Sequence, residues 1–278
     1  MTTAKIEMPS KLIPVFTGAA RYRGAYGGRG SGKTRTFALM TAIYAYRLAE
    51  SGRSGVILCA REFMNSLDES SMEEIKSAIK SIDWLNDYFD IGEKYIRTKN
   101  GAIRYAFSGL RHNLDSIKGK SKILICWIDE ADGVSEVAYS KLLPTVREDK
   151  SEVWVTWNPE KEGSPTDLRF RISPPSDSKI VEINHNDNPF FPDVLEQERV
   201  SDQERLDPST YAWIWEGAYL ENSDSQVLSG KVAIKEFAVE ENDLYLWDGP
   251  YHGMDFGFAQ DPTTALRAWV RDDRLWID

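Results

Sequence analysis

The chain is 278 residues long, room for one large domain or two to three small ones. A hydrophobic content of 41%, with 12% aromatics, supports a sizeable packed core and excludes a chain that stays disordered. With 34 basic against 44 acidic residues the formal charge is −10, which argues against a constitutive, sequence-independent nucleic-acid binder while leaving room for a local basic groove.

The N-terminal MTTAKIEMPSK lacks the apolar stretch of a leader, and apolar runs reach only about six residues, too short to span a membrane. Arg21 to Tyr26 reads as a strand feeding a glycine loop, and Thr34 to Glu50 as the helix after it, stopped at Ser51-Gly52. SGVILCAR, Ser54 to Arg61, is a compact apolar strand. Ser71 with Glu74 has the spacing of a capping box, and Met72, Ile75, Ile79 and Ile82 recur at helical spacing as a core-facing stripe. AIRYAFSG, Ala102 to Gly109, alternates like a half-buried strand. KILICWID, Lys122 to Asp129, is apolar almost throughout, which marks a central strand covered on both faces. A helix from about Ser135 to Arg147 must be bent or shortened by Pro144. EVWVTW (Glu152 to Trp157) and KIVEIN (Lys179 to Asn184) are the next strands, and the alternation predicts an α/β domain on a mostly parallel sheet. Cys59 and Cys126 lie inside apolar runs and read as buried thiols in a reducing compartment. His112, His185 and His252 are too scattered for a zinc site, and the chain reads as cytoplasmic.

The character changes after His185. Asp193 to Leu206 reads as a charged helix, and Asp207-Pro208 as the cap and first residue of a second one, STYAWIWEG. Asn222 to Ser229 is the linker candidate. From Leu244 the pattern returns to β: YLWDGPYHGMDFGF and TTALRAWVRDDRLWID read as two strands joined by AQDP. The expected organisation is a core over 1–185, a helical linker subdomain over 186–228, and a further β region over 229–278.

Gly27-Gly28-Arg29-Gly30-Ser31-Gly32-Lys33-Thr34 fits G-x-x-x-x-G-K-[ST] in its strand–loop–helix context. The glycines let successive amides turn inward around phosphate oxygens, at the positive end of the following helix. Lys33 neutralises phosphate charge and the Thr34 hydroxyl is placed for Mg²⁺. ILICWIDE delivers Asp129 to the carboxyl edge of the sheet, where it can join the metal shell. The adjacent Glu130 can polarise a water as general base, which a nucleotide-binding switch does not require, so hydrolysis is the preferred reading. Thr156-Trp157-Asn158-Pro159 either senses γ-phosphate beside that strand or simply ends it in a turn.

The order GGRGSGKT, ILICWIDEAD, LLPTVRE, VWVTWNP, DNPFFPDVLEQER resembles the large terminase subunit of tailed phages, over about Leu12 to Asp278. The resemblance implies an ASCE-type P-loop ATPase that packages double-stranded DNA into proheads. It implies phosphate and Mg²⁺ binding by Gly27, Gly28, Gly30, Ser31, Gly32, Lys33 and Thr34, metal support from Asp129, and water activation by Glu130. Thr156 and Asn158 would couple hydrolysis to DNA movement, and Arg29 would act in cis on the γ-phosphate or remain a solvated loop charge. Where relatives place an arginine before the Walker B strand to reach a neighbouring subunit, this chain has Lys118 or Lys120, with Arg147 as competitor. Arg61 matches a basic residue of the family or is an ordinary strand-end arginine. No glutamine precedes Gln197, so adenine contact is expected around Phe16, Arg21 and Tyr22.

GMDFGFAQDPTTAL resembles the first strand pair of the family's RNase H-like nuclease domain, with Asp255 as first carboxylate of a two-metal site. Asp261 reads as a turn cap. The remaining ligands fall beyond Asp278, so the chain as given is expected to hydrolyse ATP without cutting DNA. The resemblance further implies a portal protein and a small terminase subunit as partners, a homo-oligomeric ring on the prohead, a monomer in isolation, and residence in the host cytoplasm without a membrane. A P-loop helicase and a nucleotide-gated docking module are the rival readings, separated from a motor by a forked-duplex assay and by steady-state ATPase activity.

Overall fold

The computed structural model describes residues 5–62, 71–111, 122–220, 237–239, 241–255 and 264–277. Among these, eight strands form one sheet in the order β3 (Phe89–Ile91), β4 (Ile96–Thr98), β5 (Ile103–Gly109), β2 (Gly55–Arg61), β6 (Ile123–Asp129), β7 (Glu152–Trp157), β1 (Tyr22–Tyr26), β8 (Ser178–Glu182). From β5 to β8 every pairing is parallel, whereas β3 and β4 extend the β5 edge antiparallel. β6 is buried at every position, the state its unbroken apolar run requires.

Successive residues of the central strands feed opposite layers, as the period of two dictates. Cys59, Trp127 and Trp154 join one apolar cluster under the helices α1 (Ile13–Phe16), α2 (Lys33–Glu50) and α3 (Met72–Lys80). Leu58, Cys126 and Val153 join the other, with Tyr139 and Leu142 of α5 (Glu136–Leu142) and with Phe170. Between α3 and β3 lies α4 (Asp83–Tyr88). Trp154 is ringed by Phe16, Phe37 and Tyr44 in edge-to-face contact at 5.3, 5.9 and 5.0 Å. Fully burying each such side chain contributes about 1.5–3 kcal/mol. Arg23, 1% exposed, threads this layer by pairing with Glu152 at 2.7 Å and donating to the carbonyls of Val15 and Gly18.

The Met72, Ile75 and Ile79 stripe is buried as its spacing predicts, while Ile82 falls past the end of α3 and is partly buried. Pro144 shortens its helix: α5 stops at Leu142, a single 3-10 turn Leu143–Thr145 follows, and Arg147 lies outside. Two further helices, α7 (Asp193–Arg205) and α8 (Pro208–Glu216), follow the short α6 (Pro165–Asp167). α8 begins where Asp207-Pro208 predicts, with the Asp207 carboxylate accepting the Thr210 amide.

The chain divides into two compact units, Met1–Ser225 and Gln226–Asp278, and α7 and α8 both fall within the first. The second unit carries β9 (Asp248–Asp255), β10 (Thr264–Arg271) and β11 (Arg274–Ile277), antiparallel in the order β11-β10-β9. TTALRAWVRDDRLWID is therefore not one strand. Asp272 and Asp273 both take left-handed φ, 51° and 55°, and close a two-residue hairpin turn between β10 and β11. The expected linker over 222–229 and the AQDP connection lie outside the described residues. No helix among the described residues is long and apolar enough to cross a membrane.

Candidate active site

Parallel strands bring their carboxyl ends to one edge, so the ends of β1, β2, β6 and β7 place Tyr26, Arg61, Asp129 and Trp157 together. Between β1 and α2 the glycine loop turns over that edge. Gly32 caps α2 in the left-handed conformation, φ 77°, with no side chain on the first-turn amides. Those amides have no acceptor inside the helix and face outward at its positive end, the arrangement that receives an anion.

The glycines do not all serve one purpose. Gly28 does not need left-handed φ; it needs space, because a Cβ there would lie 2.2 Å from the carbonyl oxygen of Trp215 in α8. Its amide donates to Asn184 Oδ1 at 2.7 Å, and the Arg29 amide donates to the Ile214 carbonyl at 2.7 Å. With the Gly28 and Arg29 amides so engaged, those from Gly30 to Thr34 are the candidates to receive an anion. Asn188 Nδ2 grips the loop from behind through the Gly30 carbonyl at 2.7 Å, and Phe191 fills the space beside Gly30. Trp215 meets His185 and Phe191 edge-on, and those two rings tilt against each other at 51°, forming a small aromatic block beside the loop. The two asparagines flank the 3-10 turn His185–Asp187; Asn188 stands in the DNPFFP stretch that carries the resemblance, but neither bears a local mark of contact with a distant loop.

Lys33 is buried and folds back on the loop, with Nζ donating to the carbonyls of Gly27 and Gly28 at 3.2 and 3.0 Å. Burial brings its pKa down to about 8, partly offset by attraction to Asp129 and reinforced by repulsion from Arg29.

Asp129, 3% exposed, is held by donors from other elements. Thr156 Oγ1 donates to Oδ1 at 2.8 Å, while Arg61 Nη2 and Ser71 Oγ donate to Oδ2 at 2.6 and 3.1 Å. Thr156 in turn accepts the indole N–H of Trp127 at 2.9 Å. The capping-box expectation for Ser71 and Glu74 is not met. Ser71 has helical backbone angles and makes no cap hydrogen bond, because its hydroxyl is turned to Asp129; Glu74 instead meets Arg35 at 3.3 Å. Arg61 is no ordinary exposed strand end either: it is buried and spans both carboxylates, reaching Glu130 Oε2 at 3.1 Å.

Glu130 has a left-handed backbone, φ 52° and ψ 48°, which costs a non-glycine residue about 1–2 kcal/mol. That turn lifts its side chain, 68% exposed, out of the sheet edge and over the cleft. The cleft, of about 650 Å³, is lined by Arg29, Lys33, Thr34, Asp129, Glu130 and Asn158, among others. Thr34 also lines a second cavity of about 990 Å³, formed with Lys5, Glu7, Pro9, Asn188 and Phe190 on the other side of the loop. Burial pushes the pKa of the neighbouring Asp132 upward.

Several expected positions fall elsewhere. Phe16, Arg21 and Tyr22 do not reach the loop: Tyr22 begins β1 at the opposite edge of the sheet, Arg21 directly precedes it, and Phe16 is packed in the core. Arg21 is spent on the carbonyls of Ser151 and Val146, and Tyr22 packs on Phe170. The segment Lys5–Pro9 stands beside the loop instead. Arg147 lies at the same far edge as Arg21, in a cleft of about 980 Å³ that the glycine loop does not line. Lys118, Lys120 and Asp261 lie outside the described residues. Asp255 ends β9, its backbone paired with Thr264. Among the described residues no group of three or more His, Cys, Asp or Glu side chains is placed to share a metal ion.

Residues 19–218 match the family model described as phage terminase large subunit. No curated protein matches the sequence significantly. Among solved structures the chain is similar to the large terminase of a thermophilic bacteriophage, at 14% identity and TM-score 0.65, over 98% of this chain and 69% of that one. Another structure of that protein, in complex with ATP-gamma-S, aligns at 12% identity and TM-score 0.58, over 98% of this chain and 68% of that one. The ATPase domain of the large terminase from Thermus phage P74-26 aligns at 14% identity and TM-score 0.53, over 76% and 92% of the two chains. The bacteriophage HK97 large terminase aligns at 12% identity and TM-score 0.54, over the whole of this chain and 64% of its own. At such identities these likenesses are of fold, and the chain spans about two-thirds of the full-length relatives.

Proposed function

The chain belongs to the phage terminase large subunit family, ATP-driven motors of phage DNA packaging, and from that premise we propose that its first unit hydrolyses ATP in a Mg²⁺-dependent reaction at the cleft between Lys33 and Glu130. One observation carries this reading: a phosphate-type loop with its lysine and two adjacent carboxylates line the same cavity. Amides from Gly30 to Thr34 receive the phosphates, and Lys33 exchanges its loop carbonyls for phosphate oxygens.

The Thr34 hydroxyl and the Asp129 carboxylate line this cleft together and are the groups that would hold Mg²⁺. Held by them, Mg²⁺ would supply charge neutralisation to the phosphates. Thr156, Ser71 and Arg61 fix the orientation of Asp129, as outer-shell donors do for a ligating carboxylate. Glu130, solvent-facing on its left-handed turn, orients the attacking water and accepts its proton. Arg29, exposed at the mouth of the cleft, is a candidate for stabilising charge on the transferred phosphoryl group. Thr156 ends its hydrogen-bonding on Asp129 and Trp127, so its part in coupling would be exerted through Asp129, with Asn158 as the residue facing the cleft.

In the second unit Asp255, at the carboxyl end of β9, is the candidate first ligand of an RNase H-like two-metal site. Double-stranded DNA, the portal protein and the small subunit are the proposed partners, in a ring on the prohead in the host cytoplasm. A steady-state phosphate-release assay on the whole chain tests the enzymatic core. ATP hydrolysis should require Mg²⁺, stop with EDTA, and fall at least about 100-fold in Lys33→Ala. Hydrolysis that persists in Lys33→Ala or in excess EDTA would refute it.

A further inference from the structure

Two limbs leave the cleft and meet at one side chain, Tyr219. The first starts at Tyr26, the residue before the loop. The guanidinium carbon of Arg171 lies 4.7 Å from the Tyr26 ring centroid and 4.5 Å from that of Tyr219. Arg171 sits in a π-helical turn, Leu168–Ile172, a widened geometry that recurs where a side chain must be re-aimed. The second limb starts at Ala131, next to Glu130. Its carbonyl accepts the Thr166 hydroxyl at 2.5 Å, and Thr166 precedes Asp167. The Asp167 carboxylate, fully buried, accepts the Tyr219 hydroxyl at 2.9 Å and the Gly163 amide at 2.9 Å.

The chain around Tyr219 is pinned on both sides. Gly217 ends α8 in the left-handed conformation, and a Cβ there would stand 2.7 Å from the Cα of Gly27. The Leu220 amide donates to the Glu160 carbonyl at 2.8 Å. Residues 217–220, the stretch that leaves α8, therefore contact the glycine loop at Gly27 and the stretch after β7 at Glu160 and Asp167 at once.

We propose that Tyr219 is a positioning residue for hydrolysis: its ring ties the stretch leaving α8 to the loop limb through Arg171, and its hydroxyl ties it to the Glu130 limb through Asp167. This rests on the cleft being the ATP site. Nucleotide binding then changes the exposure of residues 217–220, and the chemical step depends on the Tyr219 hydroxyl more than binding does. Removing the hydroxyl strands a buried carboxylate oxygen of Asp167 while leaving the ring on Arg171, so the two limbs can be cut separately.

The test uses the whole chain, with steady-state kinetics, a fluorescent ATP analogue for binding, and hydrogen exchange on the peptide containing 217–220 with and without ATP-gamma-S. Tyr219→Phe should lower kcat by about 3- to 30-fold while KM and analogue affinity stay within about twofold. The nucleotide-induced change in exchange at 217–220 should shrink with it. Arg171→Met, which cuts the loop limb, should raise KM more than it lowers kcat. Unchanged kcat in Tyr219→Phe, or kcat, affinity and Tm falling together as for a merely structural residue, would overturn the proposal. An unaltered chain that binds no nucleotide would sink the site reading and this proposal together, whereas binding with no exchange change at 217–220 would sink this proposal alone.

Discussion

The two shoulders of the cleft are built on opposite plans. On the loop side the backbone is what would bind, and backbone carbonyls of α8 with asparagine side chains of the 184–191 stretch hold it in shape. On the carboxylate side a side chain is the instrument, and Asp129 is oriented by Arg61 from β2, Ser71 before α3 and Thr156 from β7. Function that depends on backbone geometry leaves a contiguous mark in the sequence, because the glycines must be adjacent. Function that depends on converging side chains leaves its parts scattered, with Arg61 and Asp129 68 positions apart.

Cutting the carboxylate side should have the larger effect. Arg61→Met leaves Asp129 buried without its cation, and breaking such a pair costs about 3–5 kcal/mol. Thermal unfolding should show that loss, with Mg²⁺-ATP turnover falling alongside. Arg61→Lys should recover part of the stability but less of the turnover, since one ammonium cannot span Asp129 and Glu130 as the guanidinium fork does. If Arg61→Met unfolds at the parental temperature, the pair is not what organises that shoulder.

Crowding the loop side comes next. Gly28→Ala sets a methyl against the Trp215 carbonyl, and overpacking of this kind costs about 1–3 kcal/mol. Nucleotide affinity should drop with stability, because the same shift moves the loop. Affinity kept at the parental value in Gly28→Ala would mean that α8 does not set the loop's shape.

The smallest effect is a dependence on pH. Lys33 has its pKa depressed to about 8 by burial, so the charged form is complete below that value and is lost above it. Phosphate favours the charged form, so binding takes up a proton and affinity should weaken as pH rises through about 8. The slope is at most about tenfold per unit, and it flattens once the pKa of the bound form is passed. Flat affinity from pH 7 to 9.5 would place Lys33 outside the phosphate site.

The same contrast accounts for what could be read in advance. β7 begins and ends where its apolar run does, and the ends of β1, β2, β5, β6 and β8 shift by only a residue or two, whereas the three-residue edge strands β3 and β4 are too short to show a period and are absent from the sequence reading. The loop residues were legible as a unit. Ser71 was misread because its spacing to Glu74 imitates a capping box, and only the fold reveals Asp129 as its partner. Arg61 stayed ambiguous for the same reason. Arg21 and Tyr22 were placed at the nucleotide although a strand that enters the loop at its carboxyl end must begin at the far edge. In the second unit, Asp272-Asp273 closes a turn without the glycine that usually announces one.

The central claim is that the loop binds and the carboxylate edge hydrolyses, with Glu130 as the base. Glu130→Gln keeps the size of the side chain and removes its basicity. Measured together, Mg²⁺-ATP binding should remain within about twofold of the parent while turnover falls at least about 100-fold. Turnover at the parental rate in Glu130→Gln would contradict the account.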